Sequence, residues 1–527
     1  MAAWPSPDLY QPASGSQTLL RRVLSSRGRF VAVTSGAALP LSFAPFGHWW
    51  LAPVLLAVLF LLTEGASARE RGLRGFWFGT GAFTTGTYWL YISIHDVGGV
   101  APPIAVALCA ALIVLMALYL AAWGLLTGLS AVRDPAWQLL AVMPALWVAL
   151  EWVRGWLFSG FPWLSLGYGQ IDGPLAAWAP VVGVHGVSLL VALLAGALAI
   201  QLVGPNRARI VGLGVLAAVA LSTALLTGRE WTAPSGEPLN VALVQGGITQ
   251  DRKWLLEELE TTKALFSDLT FNLEDADLII WPEAAIPALA HEEEDFLRGM
   301  RELMKARRQE LILGILTFDF GTGEFRNSLL TVGAGTGIYH KRHLVPFGEY
   351  FPVPDYVRNV LRLMSLPYTD LTPGLDGQRP LMVGDVALAP SICYEDAFGD
   401  ELRDYLPEAG LLVNVSNDGW FGDSIAPHQH LQMARYRALE SGRFMLRSTN
   451  TGITAVIDAR GRVVRQGAQF QAVVVPALVQ PRQGATPWVR FGNWPVLSVC
   501  VLLLAAALGW SSGLLGRHPV DRRDRPY

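Results

Sequence analysis

Charge is scarce in this sequence: Asp, Glu, Lys and Arg make up 16% of 527 residues, while apolar residues reach 52%. That balance excludes an ordinary water-soluble protein, in which charged residues run nearer about 25%, and part of the chain must lie in lipid. The formal net charge is −3, so there is no global basic field and nucleic acid is excluded as a partner. The 33 prolines and 53 glycines form no low-complexity tract. No period of about 20 to 50 residues returns, which excludes solenoids. Cysteine is limited to Cys109, Cys393 and Cys500, and the first and last of these fall inside apolar segments.

Those apolar segments lie before about residue 228 and after about residue 492. A bilayer needs about 20 apolar residues per helix, and candidates occur at 30–48, 50–64, 75–93, 102–130, 136–156, 181–203, 209–227 and 493–515. Pro40 and Pro45 interrupt the first and the second is short, so a re-entrant pair is an alternative there. A cleavable signal peptide fits the first segment poorly, because its apolar stretch starts late and has no clear small-residue exit. Arg21, Arg22, Arg27 and Arg29 precede the first segment, and Arg69, Arg71 and Arg74 follow the second. Arg133, Arg207 and Arg209, with the tail arginines Arg517, Arg522, Arg523 and Arg525, fall on that same side if about eight spans cross. The positive-inside rule makes that side cytoplasmic.

The expected organisation is therefore a polytopic α-helical membrane bundle with an inserted α/β domain. A cytoplasmic segment covers 1–29, a membrane domain of about seven spans 30–231, an external domain 232–488, a C-terminal helix 489–516 and a cytoplasmic tail 517–527. In a bacterium the external face is periplasmic. Within 232–488, NVALVQ, ADLIIWPE, ELILGILTF, SLLTVGA, MVGDVALAPSIC and GLLVNVSN read as buried strands. Helices are expected at Trp254–Phe271 and His428–Phe444, followed by a hairpin that turns near Ala459–Gly461. Strands alternating with helices imply a layered α/β domain with chemistry at the strand ends.

Cys393 is the one cysteine of that domain. A thiol without a disulfide partner, outside the cytoplasm and at a strand end, suggests reactivity, although free cysteine is also a common small core residue. Glu395 and Asp396 follow it directly. A thiol attacks a carbonyl only as thiolate, so a base and an oxyanion donor are needed. Glu283, fenced by Trp281 and Pro282 at another strand end, suits a base; a glutamate after proline can also simply open a helix. Lys341, eight residues before Glu349, suits oxyanion stabilisation; alone, the Lys341–His343 run would read as a solvated basic turn.

Glu283 in WPE, Lys341 in HKRHLVPFGE and Cys393 in SICYE together resemble the Glu-Lys-Cys triad of the nitrilase superfamily of carbon–nitrogen hydrolases. The resemblance implies a four-layer α-β-β-α sandwich. A nitrilase-type domain enclosed by spans, with EWVRGWLFSGFPW at 151–163 and NVSNDGWFG at 414–422, is similar to the apolipoprotein N-acyltransferase family over nearly the whole chain. That likeness implies Cys393 as nucleophile, Glu283 as general base and Lys341 as oxyanion stabiliser. It also implies Glu349 as a second glutamate positioning Lys341, Tyr394 and Glu395 as shapers of the site, and Trp254 as a required tryptophan.

The expected reaction moves an acyl chain from a membrane phospholipid through a Cys393 thioester to the α-amino group of a diacylglyceryl-cysteine on an apolipoprotein. Phospholipid, apolipoprotein and the lipid bilayer are then the partners, with no cofactor and no metal. The HQH run at 428–430 reads as caps or surface residues rather than ligands. A surface arm is expected at 352–368, with an amphipathic core helix as the alternative. Trp420 and Phe421 suit an interfacial anchor or core packing. Glu151 and Arg154 would touch lipid head groups or pair with each other. The competing readings are a membrane-anchored amidohydrolase with the same triad, and a transporter. Eight spans exceed what an anchor needs, and no internal repeat supports a transporter.

Overall fold

The computed structural model of the chain describes residues 27–335, 337–350 and 370–512. The expected arm at 352–368, the residues before Arg27 and the tail arginines lie outside the described residues.

Five described helical stretches are long and apolar enough to cross a bilayer: Pro102–Leu129, Pro135–Arg154, Pro174–Val203, Asn206–Leu226 and Trp494–Ser511. In the first, proline fits the helix start because its missing N–H would be unpaired there. Leu118, Leu129, Leu221, Leu225 and Leu502 stand exposed on these helices, which suits lipid rather than water.

The segments before residue 94 differ from expectation. The first breaks into a helix Gly28–Ala38 and a 3₁₀ turn Leu39–Ser42 that contains Pro40. A proline removes a backbone donor and crowds the preceding turn. The second, Leu51–Thr63, is apolar but only 13 residues long, about 20 Å of helix. The third, Ala68–Gly86, carries Arg69, Glu70, Arg71 and Arg74 in its first half, with Arg71 and Arg74 buried. Arg74 Nε and Arg29 Nη2 hold Glu70 at 3.0 and 2.7 Å.

The external domain is a four-layer sandwich. One sheet is built around Leu239–Gln245, Leu278–Ile280 and Glu310–Asp319, which run parallel, extended by Glu324–Val332 and Ile338–His340 on one side and Val473–Val479 on the other. In the second sheet Val386–Ile392, Leu411–Ser416 and Phe444–Thr449 are parallel. MVGDVALAPSIC is two strands rather than one: Gly384, at φ +55°, turns Leu381–Val383 back onto Val386–Ile392. Val241, Leu243, Ile280 and Ile312 of the first sheet share a core with Leu388, Val413 and Leu446 of the second. Ser448 Oγ ties the sheets by donating to the carbonyls of Val244 (2.9 Å) and Ile280 (3.2 Å).

Helices Leu259–Phe271 and Glu294–Arg307 cover the outer face of the first sheet through Phe266, Leu297, Met300 and Met304. The expected helix start at Trp254 shifts to Leu259, because Leu255 is extended and interrupts the turn. Helix Ala426–Ser441 covers the second sheet and joins it to the membrane bundle. It is buried along nearly its whole length. Its Glu440 accepts from the Val184 amide (2.7 Å) of a spanning helix, and its Arg437 donates to Tyr168 Oη (3.1 Å).

Candidate active site

Glu283, Lys341 and Cys393 each follow a strand: Leu278–Ile280, Ile338–His340 and Val386–Ile392 respectively. The first and third lie at the carboxyl ends of parallel strands, where α/β sheets gather their ligands. Cys393 has φ +53° and Ala284, beside Glu283, φ +44°, backbone conformations that surroundings must hold in place. Gly314 allows the Glu283 turn to approach: a Cβ there would sit 2.6 Å from the Pro282 carbonyl oxygen and 2.8 Å from Glu283 Cα.

Lys341 is fully buried and lies 2.8 Å from Glu349 Oε1 and 3.6 Å from Glu283 Oε1. Those carboxylates hold its ammonium charged, well above the ordinary lysine range, against a burial penalty that pushes the other way. Asn327 Nδ2 donates to Glu283 Oε1 (2.8 Å) and reaches Glu349 Oε1 (3.4 Å). The Val345 amide caps the other oxygen of Glu349 at 2.8 Å. Glu349 thus bonds both Lys341 and the backbone of the loop that follows it.

Burial pushes the Cys393 thiol up, and the Glu283 carboxylate pushes the same way, while Lys341 pulls it down. Burial and the Glu283 carboxylate thus favour the protonated thiol over the thiolate. Glu283, Lys341 and Cys393 act on one another electrostatically, so the structure brings the three residues together.

Glu395 is buried beside Cys393 and bonds the backbone around it. Its carboxylate accepts from the amides of Arg342 (2.6 Å), His343 (3.0 Å) and Ile392 (2.6 Å) and from Tyr339 Oη (2.9 Å to each oxygen). It therefore ties the Lys341 loop to the strand that ends at Cys393. Burial raises its pKa to about 7.

Tyr394 donates to the Gly160 carbonyl (2.6 Å) and stacks on Trp163 with centroids 5.6 Å apart. Gly160 and Trp163 belong to the loop that leaves the spanning helix Pro135–Arg154. Arg154 Nη1 holds that loop at the carbonyls of Phe161 (2.6 Å) and Trp163 (2.5 Å), and Glu151 Oε2 accepts from the Leu166 amide (3.0 Å). Both residues are buried, and the partners of these bonds lie in this protein loop rather than in each other.

The two predicted tryptophans are both partly exposed. Trp254 is half exposed, and Trp420 is 39% exposed on a 3₁₀ turn. Beside Trp420, Phe421 docks edge-on to Trp89 of the membrane bundle at 4.9 Å.

Sequence reasoning passed over Lys253, which is buried and donates to the Glu283 carbonyl at 2.9 Å. Burial lowers its pKa to about 8, with Glu283 and Cys393 opposing. It also passed over Asn327 and Asn414; for Asn414 the signal is a polar residue interrupting the apolar strand LLVNVS, while Asn327 stands among the polar residues of EFRNS and carries none.

A lysine, a carboxylate and a thiol at strand ends of a two-sheet sandwich define a carbon–nitrogen hydrolase domain. Residues 240–487 match the family model described as carbon–nitrogen hydrolase, and residues 35–197 match the apolipoprotein N-acyltransferase N-terminal domain. The apolipoprotein N-acyltransferase of Methylococcus capsulatus is 42% identical over 478 residues, covering 90% of this chain and 94% of that protein. Those of Azotobacter vinelandii (42%, 91% and 95%) and Photobacterium profundum (39%, 91% and 94%) are similar. The chain belongs to the apolipoprotein N-acyltransferase family, and it is an enzyme of the acyltransferase type.

Proposed function

We propose that the chain N-acylates lipoproteins in a two-step exchange at Cys393, on the periplasmic face of a bacterial inner membrane. The observation that carries this reading is the thiol between Glu283 and Lys341, in a domain fastened to a helical bundle. Glu283 takes the Cys393 proton and the thiolate attacks an ester carbonyl of a phospholipid. Lys341 faces the developing oxyanion. The tetrahedral adduct collapses, Glu283 returns the proton to the departing glycerol oxygen, and a lysophospholipid leaves a thioester behind.

In the second step the α-amino group of a diacylglyceryl-cysteine attacks the thioester carbonyl. Glu283 accepts the amine proton, the C–S bond breaks, and the proton returns to Cys393 as the amide forms. Glu349 and Asn327 keep Lys341 and Glu283 in place through both steps. An acyl chain gains about 0.8 kcal/mol per CH₂ kept from water, so delivery within the bilayer avoids a cost on the order of ten kcal/mol. The arginines near the cytoplasmic ends of the spans support a periplasmic position for residues 232–488.

Purified protein given acyl-labelled phospholipid and a diacylglyceryl-cysteinyl peptide is expected to yield N-acyl peptide. Free fatty acid without N-acyl peptide would make the enzyme a hydrolase and overturn the reading.

A further inference from the structure

His430 is the second histidine of the HQH run, and the reaction scheme leaves it unused. It is 1% exposed, under the nucleophile, with a carboxylate on each ring nitrogen. Nε2 lies 2.9 Å from Asp396 Oδ1, and Nδ1 lies 2.9 Å from Asp418 Oδ1. Arg447, also fully buried, reaches the same two aspartates at 2.9 and 3.1 Å and supplies the cation between them. The four side chains form a closed ring of two anions and two cations when the imidazole carries both protons.

The ring is joined to the nucleophile at three points. His430 Nε2 lies 3.2 Å from the Cys393 carbonyl oxygen, and Asn414 Nδ2 donates to that oxygen at 3.2 Å. Asn414 in turn accepts from Arg447 Nη1. Ser416, a neighbour of the Cys393 thiol, donates its proton to Asp418 Oδ1 (3.0 Å). Two donors on its carbonyl hold Cys393 in its left-handed conformation, of a kind that costs about 1–3 kcal/mol unless the surroundings fix it.

We infer that His430 is a positioning residue for Cys393: as an imidazolium it fixes the nucleophile's carbonyl and screens the thiolate from Asp396 and Asp418. This rests on the assignment of Cys393 as nucleophile. The charges that face the ring are Asp396, Asp418 and Arg447, and Trp163 covers it with centroids 6.2 Å apart. Arg447 Nη2, 2.9 Å from Nδ1, opposes protonation, and so does burial; the two carboxylates outweigh both and raise the imidazole to about 9. With a neutral ring the cluster would hold one uncompensated negative charge beneath the thiol. Asp418 already pushes that thiol up.

The test is the pH profile of Cys393 alkylation by iodoacetamide in full-length protein in detergent, read on the Cys393 peptide by mass spectrometry. His430→Gln is expected to move the profile upward by at least about one pH unit, a tenfold slower reaction at neutral pH, with the alkaline plateau retained. Adding Asp418→Asn to His430→Gln restores the charge balance and is expected to recover most of the neutral-pH rate. An unchanged profile would overturn the inference, and so would an equal loss at every pH that Asp418→Asn does not relieve.

Should His430→Gln fail to fold, nitrogen-15 spectra of histidine-labelled wild-type protein decide the matter. One doubly protonated imidazole at pH 8 is expected, and finding none overturns the inference. Acyl transfer that survives in Cys393→Ala would instead bring down the nucleophile assignment, because the alkylation profile reports the thiol whatever its role.

Discussion

The helical bundle and the sandwich both bury arginines and carboxylates, and three clusters among them meet different partners. In the bundle Arg154 and Glu151 bond main-chain groups of one loop, Phe161 to Leu166, which carries Trp163 against Tyr394. In the sandwich Lys341, Glu283 and Glu349, and separately His430, Asp396, Asp418 and Arg447, bond one another. Arg154 and Glu151 therefore fix where that loop lies, and the two sandwich clusters fix which of their own groups are ionised. Acyl transfer from lipid needs both: a nucleophile in the right protonation state, and an element of the membrane domain held against it.

Substitutions on the two sides should fail differently. Cys393→Ala removes the proposed nucleophile and is expected to lower N-acylation of a lipopeptide by about 10⁴-fold or more, with folding intact by thermal unfolding. Glu283→Gln keeps the Asn327 contact but loses the base, and a fall of about 10³-fold in the rate of thioester formation is expected.

Arg154→Met leaves two loop carbonyls unpaired. It should cost about 3 kcal/mol of stability and slow lipid turnover about 10- to 100-fold. Because the triad is untouched, iodoacetamide should still alkylate Cys393 at its wild-type rate; loss of that reactivity would erase the distinction between the regions. Lys253→Met should lower acylation about tenfold at neutral pH and remove an inflection near pH 8, the value to which burial brings that amine.

Stability against pH sharpens the comparison further. Glu395 and Glu440 are raised to about 7 and His430 to about 9. All three lie above their ordinary values of 4.5, 4.5 and 6.5, so the folded state holds these protons more tightly than the unfolded chain. Their contribution is complete below those ordinary values and is lost as pH rises through 4.5 to 7 for the carboxyls and 6.5 to 9 for the imidazole. Melting temperature in detergent is expected to fall across both windows, and His430→Gln should abolish the upper one.

Much of the site was legible because its residues follow apolar strands and sit beside prolines or polar turns: Glu283 after LIIWP, Lys341 after IYH, Cys393 after VALAPSI. Periodicity exposed the strands, and their order carried the family likeness. The supporting residues were hidden for a physical reason. Asn327, Asn414 and Arg447 lie inside strands, and only register across the sheet brings them beneath the reacting groups. His430 lies on a helix with a buried polar side, where hydrophobic periodicity carries little signal. The early segments depart from the expected bounds in detail: the first breaks at the 3₁₀ turn that holds Pro40, and the third begins at Ala68 and takes in Arg71 and Arg74.

The measurement that bears most directly on the central claim is mass spectrometry of the purified full-length enzyme after incubation with an acyl-labelled phospholipid and no acceptor. A single thioester-linked acyl group on the Cys393 peptide, discharged when a diacylglyceryl-cysteinyl peptide is added, is the predicted result. Label on another residue, or transfer that persists in Cys393→Ala, would contradict it.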